Sequence, residues 1–173
     1  MASQNPDPTF QLPLALSIRA PWSQFILWGI KDVENRVWRA QYTGVLFLHI
    51  SKKFDEDWKE GLDSRALDQA KRKTKRLMIG RKGFINWKLG TIAGMFICHG
   101  ADRFINSPWC SQKPGMWYMR FTDVYAFEKP IPCPGKLKLF RPQIKLADFA
   151  EKDLQAYHAI RERAKAFGFT EPL

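Results

Sequence analysis

Three residues spaced for chemistry stand close together in the chain: Lys31, Glu34 and Arg36, within Gly29-Ile30-Lys31-Asp32-Val33-Glu34-Asn35-Arg36. In an extended chain Glu34, Arg36 and Trp38 share one side, with Val33, Asn35 and Val37 on the other. Lys31 falls just before them, so an ammonium, a carboxylate and a guanidinium gather at one joint. Two uses fit this set. Glu34 can pair with Lys31 or Arg36 and pin the joint. Alternatively the trio borders a cleft, where Lys31 meets a phosphate or base edge and Glu34 orients it or accepts from a base amino group, as carboxylates do with cytosine. A second cluster is purely electrostatic. Lys71, Arg72, Lys73, Lys75, Arg76, Arg81 and Lys82 put seven cations into twelve residues with no acid. Complementing a helix dipole takes one or two cations, so this density predicts a rim that contacts phosphates.

The elements that must hold these groups can be read from periodicity. Leu14, Leu16 and Ile18 alternate with Ala15, Ser17 and Arg19 as in a half-buried strand. Pro21 suits the first position of a short helix whose apolar face is Trp22, Phe25, Ile26 and Leu27. Gly29 falls where a helix closing through a left-handed residue needs it. Gly44 to Ile50 is a hydrophobic strand, with His49 and Ser51 on the face opposite Leu46, Leu48 and Ile50. A long helix is predicted from about Asp55 to Leu77, acidic in its first turn and basic in its last, docking through Phe54, Trp58, Leu62, Ala66, Leu67 and Ala70. Gly61 is expected to bend or break it.

Beyond it, Thr91 to His99 is a buried strand in which Gly94 predicts a bulge or a close backbone approach. Residues 101–114 read as a loop around Trp109, the tryptophan that packing explains least. An aromatic strand runs from Gly115 to Phe127. Pro130, Pro132 and Pro134 form a rigid crossing to a short strand from Lys136 to Phe140. Asp148 is a good N-cap for a last helix from Phe149 to Phe167, closed by Gly168 and seamed by Leu154, Tyr157, Ile160, Ala164 and Phe167.

Composition bounds the function. The 173 residues carry a formal charge of +11, with 45% apolar and 14% aromatic content, a folded basic protein suited to polyanions. Residues 1–13 read as a flexible arm without the features of a secretory signal, and no apolar run reaches the ~20 residues of a membrane span. Cys98, Cys110 and Cys133 are odd in number and irregularly spaced, so the thiols are expected free, in a reducing cytoplasm, with no metal site and no cofactor. Phosphate loops, nucleophile elbows and paired C-x-x-C knuckles are missing from the sequence.

Leu16-Ser17-Ile18-Arg19-Ala20-Pro21-Trp22, the G-x-K-x-x-E-x-R run at 29–36 and the following strand to Ser51-Lys52-Lys53 resemble the ASCH family, the activating signal cointegrator homology domains. Gly90 to Cys98, and Pro130-Ile131-Pro132 with Gly135 and Phe140, look familial too. The resemblance covers roughly residues 14–142. It implies an α+β fold, a PUA-like β-barrel with flanking helices, with residues 143–173 as a helical extension packed on it. It also implies RNA or DNA as partner, a nucleotide entering a cleft bordered by Arg19, Trp22, Lys31, Glu34, Arg36, His49, Ser51, Lys52, Lys53 and Trp109. Some members are enzymes acting on RNA or modified nucleosides. The small ASCH amidohydrolases place a threonine nucleophile three residues after the lysine; here Glu34 stands there, which leaves Lys31 as the candidate catalytic residue without that nucleophile. A metal-independent ribonuclease or nucleoside hydrolase, and an adaptor binding a protein through the last helix, are the alternative readings.

Overall fold

The computed structural model of the chain describes residues 11–60, 62–74, 88–111 and 113–169. Its architecture is α+β: among the described residues, one six-stranded sheet curled into a half-barrel with three α-helices around it. In chain order the elements are β1 (Ala15–Ala20), α1 (Trp22–Leu27), β2 (Val33–Arg36), β3 (Thr43–Phe54), α2 (Ser64–Thr74), β4 (Thr91–Asp102), β5 (Trp117–Pro132), β6 (Leu139–Phe140) and α3 (Glu151–Ala166). The sheet order is β2-β5-β4-β3-β1-β6. β1 and β3 run parallel, with Ser17 opposite His49, and the other pairings are antiparallel.

The central strands are covered on both faces. Ala15, Val45 and Phe47 pack toward α3, whose Tyr157, Ile160 and Ala164 close that layer. Leu16, Ile18, Leu46, Leu48 and Ile50 fill the other face with Phe96, Met119 and Phe121. This two-sided burial is why Ala15 is buried as fully as Leu16, where simple alternation predicts a half-buried strand. Gly94 is both a register irregularity and a close approach: a Cβ there would sit 2.4 Å from the Tyr125 carbonyl oxygen and 2.6 Å from Leu27. Tyr157, Ile160 and Ala164 of the α3 seam are spent on the sheet, so a partner reading them would have to displace core, whereas Phe167 at its end is 53% exposed.

Two helices begin later than periodicity predicts. α2 starts at Ser64, not Asp55, and its first turn carries no acid. Asp63 is its cap, accepting from the Arg65 amide at 2.8 Å. Residues 54–60 are instead held on the sheet end: the Asp55 amide donates to the Ala20 carbonyl at 2.6 Å, its carboxylate accepts from Trp22 Nε1 at 2.8 Å, and Trp58 packs on Phe25 at 5.2 Å. The face predicted for the helix is still the face that packs, because Trp58, Leu62, Ala66 and Ala70 all join the cluster around Phe25. Gly61, and Lys75, Arg76, Arg81 and Lys82 of the basic run, lie outside the described residues.

At the other end, α3 starts at Glu151, because Asp148 caps a preceding 3-10 turn (Leu146–Asp148) by accepting from the Lys145 amide at 2.7 Å. The proline crossing is also different. Pro130 and Pro132 lie inside β5, which runs to Pro132. β2 pairs only with residues 117–120 of β5, so the remaining outer edge of β5 accommodates prolines without losing ladder bonds.

Candidate nucleic-acid cleft

The turn that builds the site follows α1. Gly29 takes φ +65°, its amide donates to the Ile26 carbonyl, and the Ile30 amide donates to Phe25, each at 2.8 Å. That pair of bonds is a Schellman closure, with Ile30 returning to pack beside Phe25. The chain is thereby aimed into β2 with Lys31 turned inward. Lys31 is only 2% exposed. Its ammonium donates to the Val33 carbonyl and to Glu34 Oε2 at 2.9 Å. Glu34 Oε1 takes Arg36 at 3.1 Å, and the same Arg36 Nη2 donates to the Ser17 carbonyl at 2.8 Å. One guanidinium therefore links β2, at the sheet margin, to β1 across the opening of the curl. Burial pushes the Glu34 carboxyl upward, but the Lys31 and Arg36 charges and the Lys31 hydrogen bond outweigh it and hold it below the usual carboxylate range.

Because β1 and β3 are parallel and in register, their ends deliver side chains side by side. Ser17 Oγ lies 3.0 Å from His49 Nδ1, and His49 Nε2 lies 2.9 Å from the Cys133 carbonyl. A carbonyl only accepts, so Nε2 carries the proton and Nδ1 accepts from the Ser17 hydroxyl. The loop after β5 closes on this pair: a Cβ on Gly135 would stand 2.3 Å from His49 Cε1 and 2.8 Å from Ser17 Oγ. Only glycine lets that backbone approach.

A cleft of about 760 Å³ opens over these groups. Eight of the ten residues predicted for it line it: Arg19, Trp22, Glu34, Arg36, His49, Ser51, Lys52 and Lys53. Lys31 lies beneath it, acting through Glu34, with no surface for a ligand or a reacting atom to touch. Trp109 is elsewhere. It is a 2%-exposed core residue packed on Phe25 at 5.6 Å, its Nε1 donating to Gln69 Oε1 of α2 at 2.9 Å. The loop's polar groups seat it: Ser107 bonds Asp32, and the Trp109 carbonyl accepts from Asn35 of β2.

Sequence reasoning missed Ser17, Asp55, Gly135 and Lys136, which also line the cleft. Ser17 was legible as the strand neighbour of Arg19 on the same face. Asp55 was masked by its resemblance to a helix N-terminus. From the rim, Lys71, Arg72 and Lys73 are exposed on the last turns of α2, and Lys73 Nζ donates to the Gly29 carbonyl at 3.2 Å. Among the described residues no group of His, Cys, Asp and Glu is placed to hold a metal ion, and no helix is long and apolar enough to cross a membrane. Cys98, Cys110 and Cys133 are free thiols, and burial pushes Cys98 up to about 11.

Burial, with Lys52 adding to it, lowers the His49 pKa from 6.5, against the pull of the Cys133 carbonyl. The folded protein thus binds its proton less readily than the unfolded chain. Stability is unaffected above pH 6.5 and declines as pH falls from there toward the folded pKa. A His49→Gln variant is expected to flatten this part of the stability–pH curve, measured by urea unfolding. An unchanged slope would assign it to other groups, with His99, also shifted down by burial, as the next suspect.

No family model matches the chain, and no curated protein sequence matches it.

Proposed function

We propose that the protein is a nucleic-acid-binding module of the ASCH type, a PUA-like barrel that holds a single-stranded or structured RNA or DNA across a basic rim with one nucleotide in the cleft. One observation carries the reading. Arg19, Arg36, Lys52, Lys53 and Lys136 converge on a single cleft, while its two carboxylates are engaged, Glu34 by Lys31 and Arg36 and Asp55 by Trp22. The cleft volume falls in the range of about 300–1,000 Å³ typical of small-ligand sites. Such a cationic concavity favours phosphate, and Trp22 on its wall supplies an aromatic surface for a base, an interaction worth about 1–3 kcal/mol.

The test is a binding titration of single-stranded RNA, single-stranded DNA and duplex DNA at several salt concentrations. Affinity for a single strand should fall with a slope of about 0.7 in log K per log salt for each phosphate held. Lys52→Glu with Lys53→Glu should weaken binding and flatten that slope by about 1.4. The triple reversal of Lys71, Arg72 and Lys73 should flatten it as well. Salt-independent binding, or none to any of the three, removes the proposal.

The Ser17–His49 pair favours a second reading. His49 is as buried as Lys31, at 2% exposure, but its Nδ1 accepts from the Ser17 hydroxyl, and a base fixed in one tautomer acting through a hydroxyl is the equipment of a metal-independent ribonuclease or nucleoside hydrolase. In that case His49→Gln abolishes turnover of RNA or nucleoside while binding persists.

A further inference from the structure

We infer that a strand seated in the cleft continues over a second anion-binding station, formed by Arg39 and Arg103 on the indole of Trp117. The inference rests on the nucleic-acid reading of the cleft and fixes its ligand as a strand several nucleotides long, not a free nucleotide. Trp117 is the register partner of Arg36, so the two side chains stand on the same face of neighbouring strands. Arg36 lines the cleft, which makes Trp117 the neighbouring position on β5, beside the cleft wall.

Both guanidinium groups are stacked on that one ring. The central carbon of Arg103 lies 4.1 Å from the ring centroid and that of Arg39 lies 5.1 Å from it. Contact with the ring positions each guanidinium, and although Arg103 Nη1 donates to the Met116 carbonyl at 3.4 Å, the other N–H donors of the pair are there for a phosphate to accept. Neither arginine makes an ion pair among the described residues. The nearest acid in the sequence, Asp102, is turned to the backbone and accepts from the amides of Arg103 and Phe104. Two like charges held together without a carboxylate repel one another, and a polyanion relieves that repulsion. Phe104, next to Arg103 in the chain, is 89% exposed, and Val37, two residues before Arg39, is 78% exposed. An exposed ring next to paired arginines is the arrangement on which an unpaired base stacks while its phosphate is held.

The experiment compares wild type with the Arg39→Glu/Arg103→Glu double variant by fluorescence anisotropy, using a trinucleotide and a twelve-nucleotide single-stranded RNA. Both substitutions are on exposed side chains, and a thermal melt confirms that the fold is retained. The twelve-nucleotide strand is expected to bind the variant at least about ten-fold more weakly, with its salt slope reduced by about 1.4 for two lost phosphate contacts. Trinucleotide affinity should be unchanged. Equal binding of the long strand by both proteins overturns the second station and leaves the cleft reading intact. Equal losses for both lengths also overturn it, since the arginines would then act on the cleft itself. If wild type binds neither strand, the cleft reading fails and the station with it.

Discussion

Glu34→Ala is expected to cost about 3–5 kcal/mol of unfolding free energy, the range for removing one partner of a buried ion pair. The Lys31 side chain is 1% exposed and Glu34 is the carboxylate it pairs with among the described residues, so the variant leaves the ammonium with one backbone carbonyl and the Trp22 ring, 5.9 Å away. It also removes the carboxylate partner of Arg36, leaving that guanidinium only the Ser17 carbonyl that ties β2 to β1. Replacing both residues, as Lys31→Met with Glu34→Leu, should recover most of the loss, because the uncompensated charge goes with the carboxylate. Urea unfolding of the two singles and the double gives the coupling directly. A loss under about 1 kcal/mol for Glu34→Ala would show that water reaches Lys31. The same pair predicts acid sensitivity. Glu34 has a folded pKa below its ordinary 4.5, so its contribution is complete above pH 4.5 and is lost as pH falls through the folded value.

The next largest effect is expected at Asp153, fully buried near the start of α3. Its Oδ1 accepts from the Glu128 amide at 2.8 Å and from the Tyr125 hydroxyl at 3.2 Å, and its Oδ2 from the Lys129 amide at 3.1 Å. It thus finishes the outer edge of β5 where β2 no longer reaches. Hydrogen bonds to a charged acceptor contribute about 1.5–3 kcal/mol each, and two of these donors are backbone amides of β5. Asp153→Ala should therefore lose about 3 kcal/mol, with hydrogen exchange accelerating at the Glu128 and Lys129 amides and across the α3 contact. Asp153→Asn, which keeps an acceptor, should lose less. Unchanged exchange at those two amides would refute the clamp.

What could be read from the sequence was whatever local chemistry determines. Gly29 closes its helix in the left-handed conformation its position requires, and the alternation through β2 and β3 brought Glu34, Arg36, His49 and Ser51 to one place. The misreadings share a cause: a side chain engaged by a partner far along the chain. Lys31 looked available because nothing local reveals that Glu34 and the Val33 carbonyl hold it out of solvent. Trp109 looked exposed because its neighbours are polar, whereas those neighbours are the bonds to Asp32, Asn35 and Gln69 that bury it. Asp55 looked like a helix start, but Trp22 and the Ala20 carbonyl had claimed it. The Pro134–Gly135 approach to His49 is a contact between distant segments, and no periodicity encodes one.

The pairing of β6 with β1 joins Leu139 and Phe140 to Leu16 and Ala15, segments far apart in the chain. Until the ribosome has released Phe140, the first strand carries bare amides along its flank, an open seam that any other extended peptide could fill.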